Sequence, residues 1–324
     1  MLDDGATIPF ISRYRKEMTG GLDEVQIESI RTHYEKLKET AKRKETIVAT
    51  IREQGKMTPE LQKRIDDTWD STALEDIYLP YKPKRKTRAE AARQKGLEPL
   101  ATLLMLQREP HPEQRAAAFV KGDVKDADDA LKGARDIIAE QVSENERARN
   151  MLRNTFARQA LLTAKVIKGK EEEGAKYRIT STVRTLKRCS SHRLLAIRRA
   201  EAEGLLKVSI SLNDEECVER LERQFVQSNN ACGKQVAEAV QDAYKRLLKP
   251  SIETEFAAQS KERADDEAIR VFAENLRQLL LASPLGQKRV MGIDPRIPQS
   301  AARWCAWMHR ATCCTTRIST RIRP

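Results

Sequence analysis

Aromatic residues are scarce in this chain, at 5%, and so are glycine and proline, with 13 and 12 in 324 residues. Such scarcity, beside 33% charged residues, points to a mostly helical protein. No apolar run reaches transmembrane length, and the first residues lack the layout of a signal peptide. A membrane role is therefore not expected, and the default compartment is the cytoplasm. Six cysteines contain no paired C-x-x-C spacing, so the sequence supports neither a zinc site nor a disulfide framework. Four scattered histidines add no metal cluster.

What is present is charge, with a net value of +12. Half of it comes from the last 29 residues, Arg296–Pro324, which hold six arginines and no Asp, Glu or Lys. The rest of the chain carries 12 − 6 = +6. The most informative stretch is Leu74–Pro99, LEDIYLPYKPKRKTRAEAARQKGLEP. Pro80 and Pro83 favour extended backbone. Around them lie Tyr78, Tyr81, Lys82, Lys84, Arg85, Lys86 and Arg88. Thr87 and Glu90 have capping-box spacing, and Gly96 suits the position after a short helix. The pattern predicts a stiff basic arm leading into a capped helix. Cations bind phosphate oxygens and tyrosines stack on bases, so the arm is a candidate nucleic-acid contact. The plain alternative is a solvated loop whose tyrosines pack on the core.

Helical signals run through most of the chain. Residues 5–22 are expected to bury Ile8, Phe10 and Ile11 and to turn Arg13, Arg15 and Lys16 outward, before Gly20-Gly21 breaks the segment. Asp23 and Gln26 resemble a capping box for a long helix, with Val25, Ile27, Ile30, Tyr34 and Leu37 as its core stripe. Thr58-Pro59 restarts a helix as cap and first residue. Leu97–Leu106 and Asp126–Ala139 read as helices, and Ser143–Val166 as another, capped by Ser143 and Glu146. Lys165–Tyr177, KVIKGKEEEGAKY, reads as an exposed charged turn, because it lacks the G-K-[ST] ending of a phosphate loop. Leu206, Val208, Ile210 and Leu212 alternate with polar residues, which predicts one half-buried strand. Val236, Val240 and Tyr244, then Ile269, Phe272, Leu276 and Leu279, mark later helices whose stripes belong in a core.

Val290–Pro295, VMGIDP, reads as the start of a buried strand. An aspartate at a strand end is where a nuclease of the ribonuclease H type holds a metal. That chemistry needs several carboxylates, and no acid follows Asp294. No catalytic, cofactor-binding or metal-binding residue is assigned, and the protein is not expected to be an enzyme.

Five segments carry a resemblance: GATIPFISRYRKEMTGGLDEVQ, LEDIYLPYKPKRKTRAEAARQKGLEPLA, VIKGKEEEGAKY, LKRCSSHRLLAIRRAEAEGLLKVSIS and PLGQKRVMGIDP. In this order they resemble the N-terminal part of the Tex family of bacterial transcription accessory proteins. The resemblance covers nearly everything from Leu2 to Pro295. It implies helical N-terminal and central regions followed by a ribonuclease H-like domain of the YqgF type, helix-hairpin-helix units and an S1 domain. It also implies nucleic-acid binding around transcription, and kinship with a eukaryotic elongation factor. Family members begin further upstream. After GIDP the family pattern stops, and a shifted reading frame of suitable codons restores a family-like peptide over Ala302–Pro324. Residues 178–182 behave likewise.

The expected division is therefore a helical N-terminal domain over 1–187 and a central helical region over 188–284. The first strand of a truncated ribonuclease H-like domain follows at 285–295, then an out-of-frame disordered tail over 296–324. The leading functional reading is a non-catalytic fragment that binds RNA or DNA without sequence preference, with the transcription machinery as a further partner. Its contacts are Arg13, Arg15, Lys16, Tyr81, Lys82, Lys84, Arg85, Lys86 and Arg88. A helical scaffold for protein partners is the alternative, and a nuclease built on Asp294 the remote one.

Overall fold

Local capping chemistry starts several helices of the computed structural model. It describes residues 1–84, 87–170, 172–173, 183–283 and 286, and as backbone 290–295, 301–307 and 313–320. Helix α1 (Ile8–Tyr14) and the single turn α2 (Lys16–Thr19) precede Gly20, whose φ of 67° suits a residue without a Cβ. Helix α3 (Glu24–Glu53) begins at the expected capping box. The Asp23 carboxylate accepts from the Gln26 backbone N–H, and the Gln26 side chain accepts from the Asp23 N–H. Thr58 caps α4 (Pro59–Asp67), and Asp70 caps α5 (Ser71–Tyr78). A 3-10 turn, Leu79–Tyr81, leads to the arm. Thr87 then caps α6 (Arg88–Gln94) by accepting from the Glu90 N–H at 3.0 Å. The Glu90 side chain lies beside Arg93, at 3.6 Å.

Next come α7 (Glu98–Leu106), α8 (Pro112–Ala117), α9 (Ala127–Glu144) and α10 (Glu146–Gln159). The cap of α10 is Asn145, which accepts from the Ala148 N–H, and not Ser143. Ser143 sits in the last turn of α9, where its hydroxyl donates to the Glu140 carbonyl. The predicted helix over Ser143–Val166 also ends early, because Leu161–Val166 is strand β1. It pairs antiparallel with β2 (Val183–Thr185) and with β3 (Leu206–Ser211), giving the order β2-β1-β3. A three-stranded sheet thus stands where one strand was predicted. The alternation in β3 behaves as read: Leu206 and Ile210 are buried, and across the register Leu162 and Ala164 face the same core.

Between β2 and β3 lie a 3-10 turn, Leu186–Arg188, and α11 (Ser191–Ala202). After β3 come α12 (Asp214–Phe225) and α13 (Ala231–Asp242). A π-helical turn, Ala243–Leu248, runs straight into α14 (Lys249–Leu280). Helix α14 runs on through Pro250, its second residue. Proline has no N–H for the carbonyl one turn back, and the wider π turn absorbs that defect.

Residues Met1–Ala264 form one unit and Asp265–Pro324 another. The first holds two clusters of buried side chains. A small one joins Ile47, Ile51, Leu61, Ile65, Leu74, Ile77 and Tyr78. The larger runs from Ala89 to Ala264 and includes Val236, Val240 and Tyr244, as predicted. The expected boundary between 187 and 188 falls inside this larger core, because β1 and β2 share their sheet with β3. Two stripes read as core are not core. Of the α3 set only Ile27 is buried, while Val25, Ile30, Tyr34 and Leu37 are exposed. Ile269, Phe272, Leu276 and Leu279 of α14 are exposed as well. Periodicity shows that a face is apolar, and only a packed neighbour buries it.

In the second unit β4 (Val290–Pro295) pairs with β5 (Ala301–Trp307), and β5 with β6 (Cys313–Thr320), all antiparallel. This differs from the disordered tail expected after Arg296. Thr, Ile, Trp and Cys in these segments suit extended backbone, and ladder pairing satisfies N–H and C=O groups without an apolar period. The remainder of 296–324 and residues 178–182 lie outside the described residues.

Candidate nucleic-acid interface

The arm begins where the small core ends. Tyr78 is buried, and the Arg43 guanidinium lies 5.3 Å from its ring centre while pairing with Glu75 at 2.6 Å. Tyr78 is therefore a core residue, and its hydrophobic and cationic neighbours occupy the faces a base would need. Tyr81 is half-buried against the same cluster, and its carbonyl accepts from the Gln54 side chain at 2.7 Å. Lys82 follows with extended backbone, as the prolines predicted, and is exposed.

Lys84 departs from the expectation. Its ammonium lies inward between two glutamates of α9, 3.3 Å from Glu140 and in direct contact with Glu144. Burial lowers its pKa below the ordinary lysine value, against the pull of Glu140. Arg93 reaches Glu140 at 2.6 Å, and the Thr87 hydroxyl donates to the same carboxylate at 3.3 Å. Lys84 is thus a clip that holds the arm to α9, and the periodic reading of a charge run could not see the acids it meets. Arg85 and Lys86 lie outside the described residues. Arg88, on the first turn of α6, is exposed.

This arrangement sets an expected result for Lys84→Met. Two neighbouring carboxylates would lose a shared partner in a site where Glu140 is almost fully buried. Breaking such a pair costs about 3 kcal/mol. Chemical denaturation should show that loss, and Lys82→Met should show almost none. Equal, small effects of both would overturn the clip.

The second basic group lies elsewhere. Arg13 pairs with Glu24 at 3.4 Å, with both side chains largely exposed. Arg15 lies over the Phe10 ring at 5.8 Å, and Lys16 is exposed at the start of α2. These residues lie on α1, on the start of α2 and between them, and α1 packs on α3, whereas the turn before the arm packs on α5 and α9. No described contact joins this group to the arm.

Sequence reading missed a third group. The end of α10, the 3-10 turn Leu186–Arg188 and α14 enclose a hollow of about 410 Å³. Arg158, Lys187 and Arg263 line it beside Phe156 and Phe256. The signal in the sequence was the basic run around Leu186, LKRCSSHR, which carried only the resemblance. Its partners lie 29 residues before and 76 after Lys187 in the numbering, too far for any local pattern.

Among the described residues no group of three or more His, Cys, Asp or Glu is placed to hold a metal ion. Cys189, Cys217 and Cys232 are free and buried. No described helix is long and apolar enough to cross a membrane.

Residues 107–272 match the Tex central region-like family, and residues 1–52 match the Tex-like protein N-terminal domain. Protein YhgF of Escherichia coli (strain K12) is 41% identical over 310 residues, which span 91% of this chain and 40% of that protein. Transcriptional accessory protein Tex of Neisseria gonorrhoeae is 38% identical over 304 residues, 91% of this chain and 40% of that protein. S1 RNA-binding domain-containing protein 1 of Homo sapiens is 29% identical over 315 residues, 91% of this chain and 31% of that protein. The chain thus spans about 40% of the length of the bacterial relatives it matches.

Proposed function

The chain belongs to the Tex family, and from that membership we propose that it is a non-catalytic nucleic-acid-binding part of a cytoplasmic transcription accessory protein. The observation that carries this reading is the state of the arm. Lys82 and Arg88 are exposed and form no ion pair with any described residue, while Lys84 between them is fastened to α9. Cations held on an anchored backbone meet phosphates with little loss of conformational freedom. Phosphate contacts position a nucleic acid without reading its sequence, so the binding is non-specific and takes RNA or DNA.

The test is a titration of labelled RNA and duplex DNA with the full chain and its Lys82→Gln/Arg88→Gln variant. The expected variant binds more weakly to every base sequence by a similar factor. Its plot of log affinity against log salt flattens by about 2 for duplex DNA. Undiminished binding with an unchanged salt slope would remove the arm as the contact.

The exposed apolar residues of α3 favour a second reading, a helical scaffold for a partner of the transcription machinery. Duplex DNA separates the two. It displaces an acidic protein partner if the arm serves both, and leaves it in place if α3 is the docking face.

A further inference from the structure

The hollow between α10, the 3-10 turn Leu186–Arg188 and α14 combines three features. First, its walls carry cations without counter-ions. Arg158, Lys187 and Arg263 are exposed, form no ion pair with any described residue, and have no carboxylate beside them in the lining. Elsewhere in this unit cations on neighbouring turns are matched: Arg153 by Asp76 and Glu255, and Arg246 by Asp136 and Asp242. Like charges around a concave wall repel one another and focus the field into the concavity, and an anion relieves both effects.

Second, the wall residue Arg263 shares its neighbourhood with two further guanidinium groups. Burial pushes the Cys189 thiol pKa up, and Arg193, Arg184 and Arg263 oppose it, which puts three guanidinium groups within electrostatic reach of one sulfur. Guanidinium groups present paired donors that match phosphate oxygens.

Third, the floor is aromatic. Phe256 is half-buried and rests on Phe156, with ring centres 5.4 Å apart. It lines the hollow together with the three cations. The volume, about 410 Å³, falls within the ~300–1,000 Å³ of small-ligand clefts. A duplex keeps its bases stacked and offers a phenyl ring no free base face. A single strand offers one, next to a phosphodiester.

We infer that this hollow is a binding site for single-stranded nucleic acid, in which Phe256 packs against one unstacked base and Arg158, Lys187 and Arg263 hold the flanking phosphates. Phenylalanine has no hydrogen-bonding group, so the site accepts any base. The inference rests on the nucleic-acid reading above, but uses elements separate from the arm.

The test uses the full chain, a labelled single-stranded homopolymer and a blunt duplex of equal length. Three variants are compared with the parent: Phe256→Leu, Arg158→Gln/Lys187→Gln/Arg263→Gln, and Lys82→Gln/Arg88→Gln on the arm. Leucine keeps apolar contact with Phe156 and removes the ring. Phe256→Leu is expected to weaken single-strand binding about five-fold or more and to leave duplex binding unchanged. The triple variant is expected to flatten the single-strand salt plot by about 2. Its three sites are exposed, so it remains informative even if Phe256→Leu melts early. Unchanged single-strand binding by the triple variant overturns the site, and so does an equal loss for both ligands in Phe256→Leu. If the arm variant alone weakens binding, the nucleic-acid reading stands and the hollow does not belong to it. If the parent binds neither ligand, both fail together.

Discussion

Asp76→Ala is expected to lower the stability of the first unit by about 3–5 kcal/mol, the range for breaking a buried ion pair. Asp76 is 3% exposed on α5. One carboxylate oxygen accepts from Arg149 Nε at 2.9 Å and from Arg153 Nη2 at 3.0 Å, and the other contacts Arg153 Nη1. Arg149 is itself buried, and its remaining described partner is the Ser251 hydroxyl at 3.3 Å. Removing Asp76 strands that guanidinium. Arg153 suffers less, because Glu255 of α14 accepts from its Nε at 2.8 Å. The network ties α5, which belongs to the small core, to α10 and α14 of the larger one. The loss should therefore fall on the joint between them. Early proteolysis within residues 1–81 would accompany the lowered denaturant midpoint. Asp76→Asn keeps an acceptor and should lose less. A loss below about 1 kcal/mol in Asp76→Ala, typical of exposed pairs, would show that the arginines find other partners at no cost.

The second large effect concerns a glycine that helix propensity would replace. Ala is better than Gly in a helix interior by about 1 kcal/mol, so Gly233→Ala in α13 looks stabilising. The structure reverses the sign. A Cβ at Gly233 would lie 1.9 Å from the backbone oxygen of Ser228, so backbone must move. The loop that holds Ser228 is not free to yield. Gln107 is buried in the left-handed region with φ of 52°. Its side-chain oxygen accepts from the Gln227 and Ser228 N–H groups at 2.8 and 3.0 Å, and its amide donates to the Phe225 carbonyl at 2.7 Å. Asn230 adds to this. Its amide donates to the Gln107 carbonyl at 2.7 Å, while its oxygen caps α13 by accepting from the Gly233 N–H at 2.8 Å. Relief of the clash would break several of these bonds at once. Gly233→Ala is expected to destabilise by about 2–3 kcal/mol, as overpacking does. A neutral or raised melting temperature would show that the loop relaxes freely. Gln107→Ala should weaken the same loop without a clash, and so locate the rigidity in the hydrogen bonds.

Capping and alternation made much of the helical framework legible in the sequence. Asp23 and Gln26, Thr58 and Pro59, and Thr87 all cap where their spacing placed them, because a cap needs only residues within one turn. Strand β3 was legible for the same reason, since its alternation is contained in its own residues. Strand β1 was not. Leu161–Val166 follows a helix without a glycine or proline stop, and it is extended because β2 and β3 lie on either side of it.

Burial and pairing were decided by the tertiary structure alone. The face of α3 that carries Val25, Ile30, Tyr34 and Leu37 has helical spacing and remains exposed, because spacing does not supply a neighbour. Lys84 reads as one cation of a run, yet Glu140 and Glu144, 56 and 60 positions later, draw it inward. Arg158, Lys187 and Arg263 read as ordinary solvated charges, and only the folded chain gathers them around Phe256. The sequence by itself determined a mainly helical chain, the caps at Asp23, Thr58 and Thr87, and its family, which depend on residues near one another or on order along the chain. Which cations are drawn into ion pairs depends on residues far apart in sequence, and the packing of α9, α10 and α14 decides it.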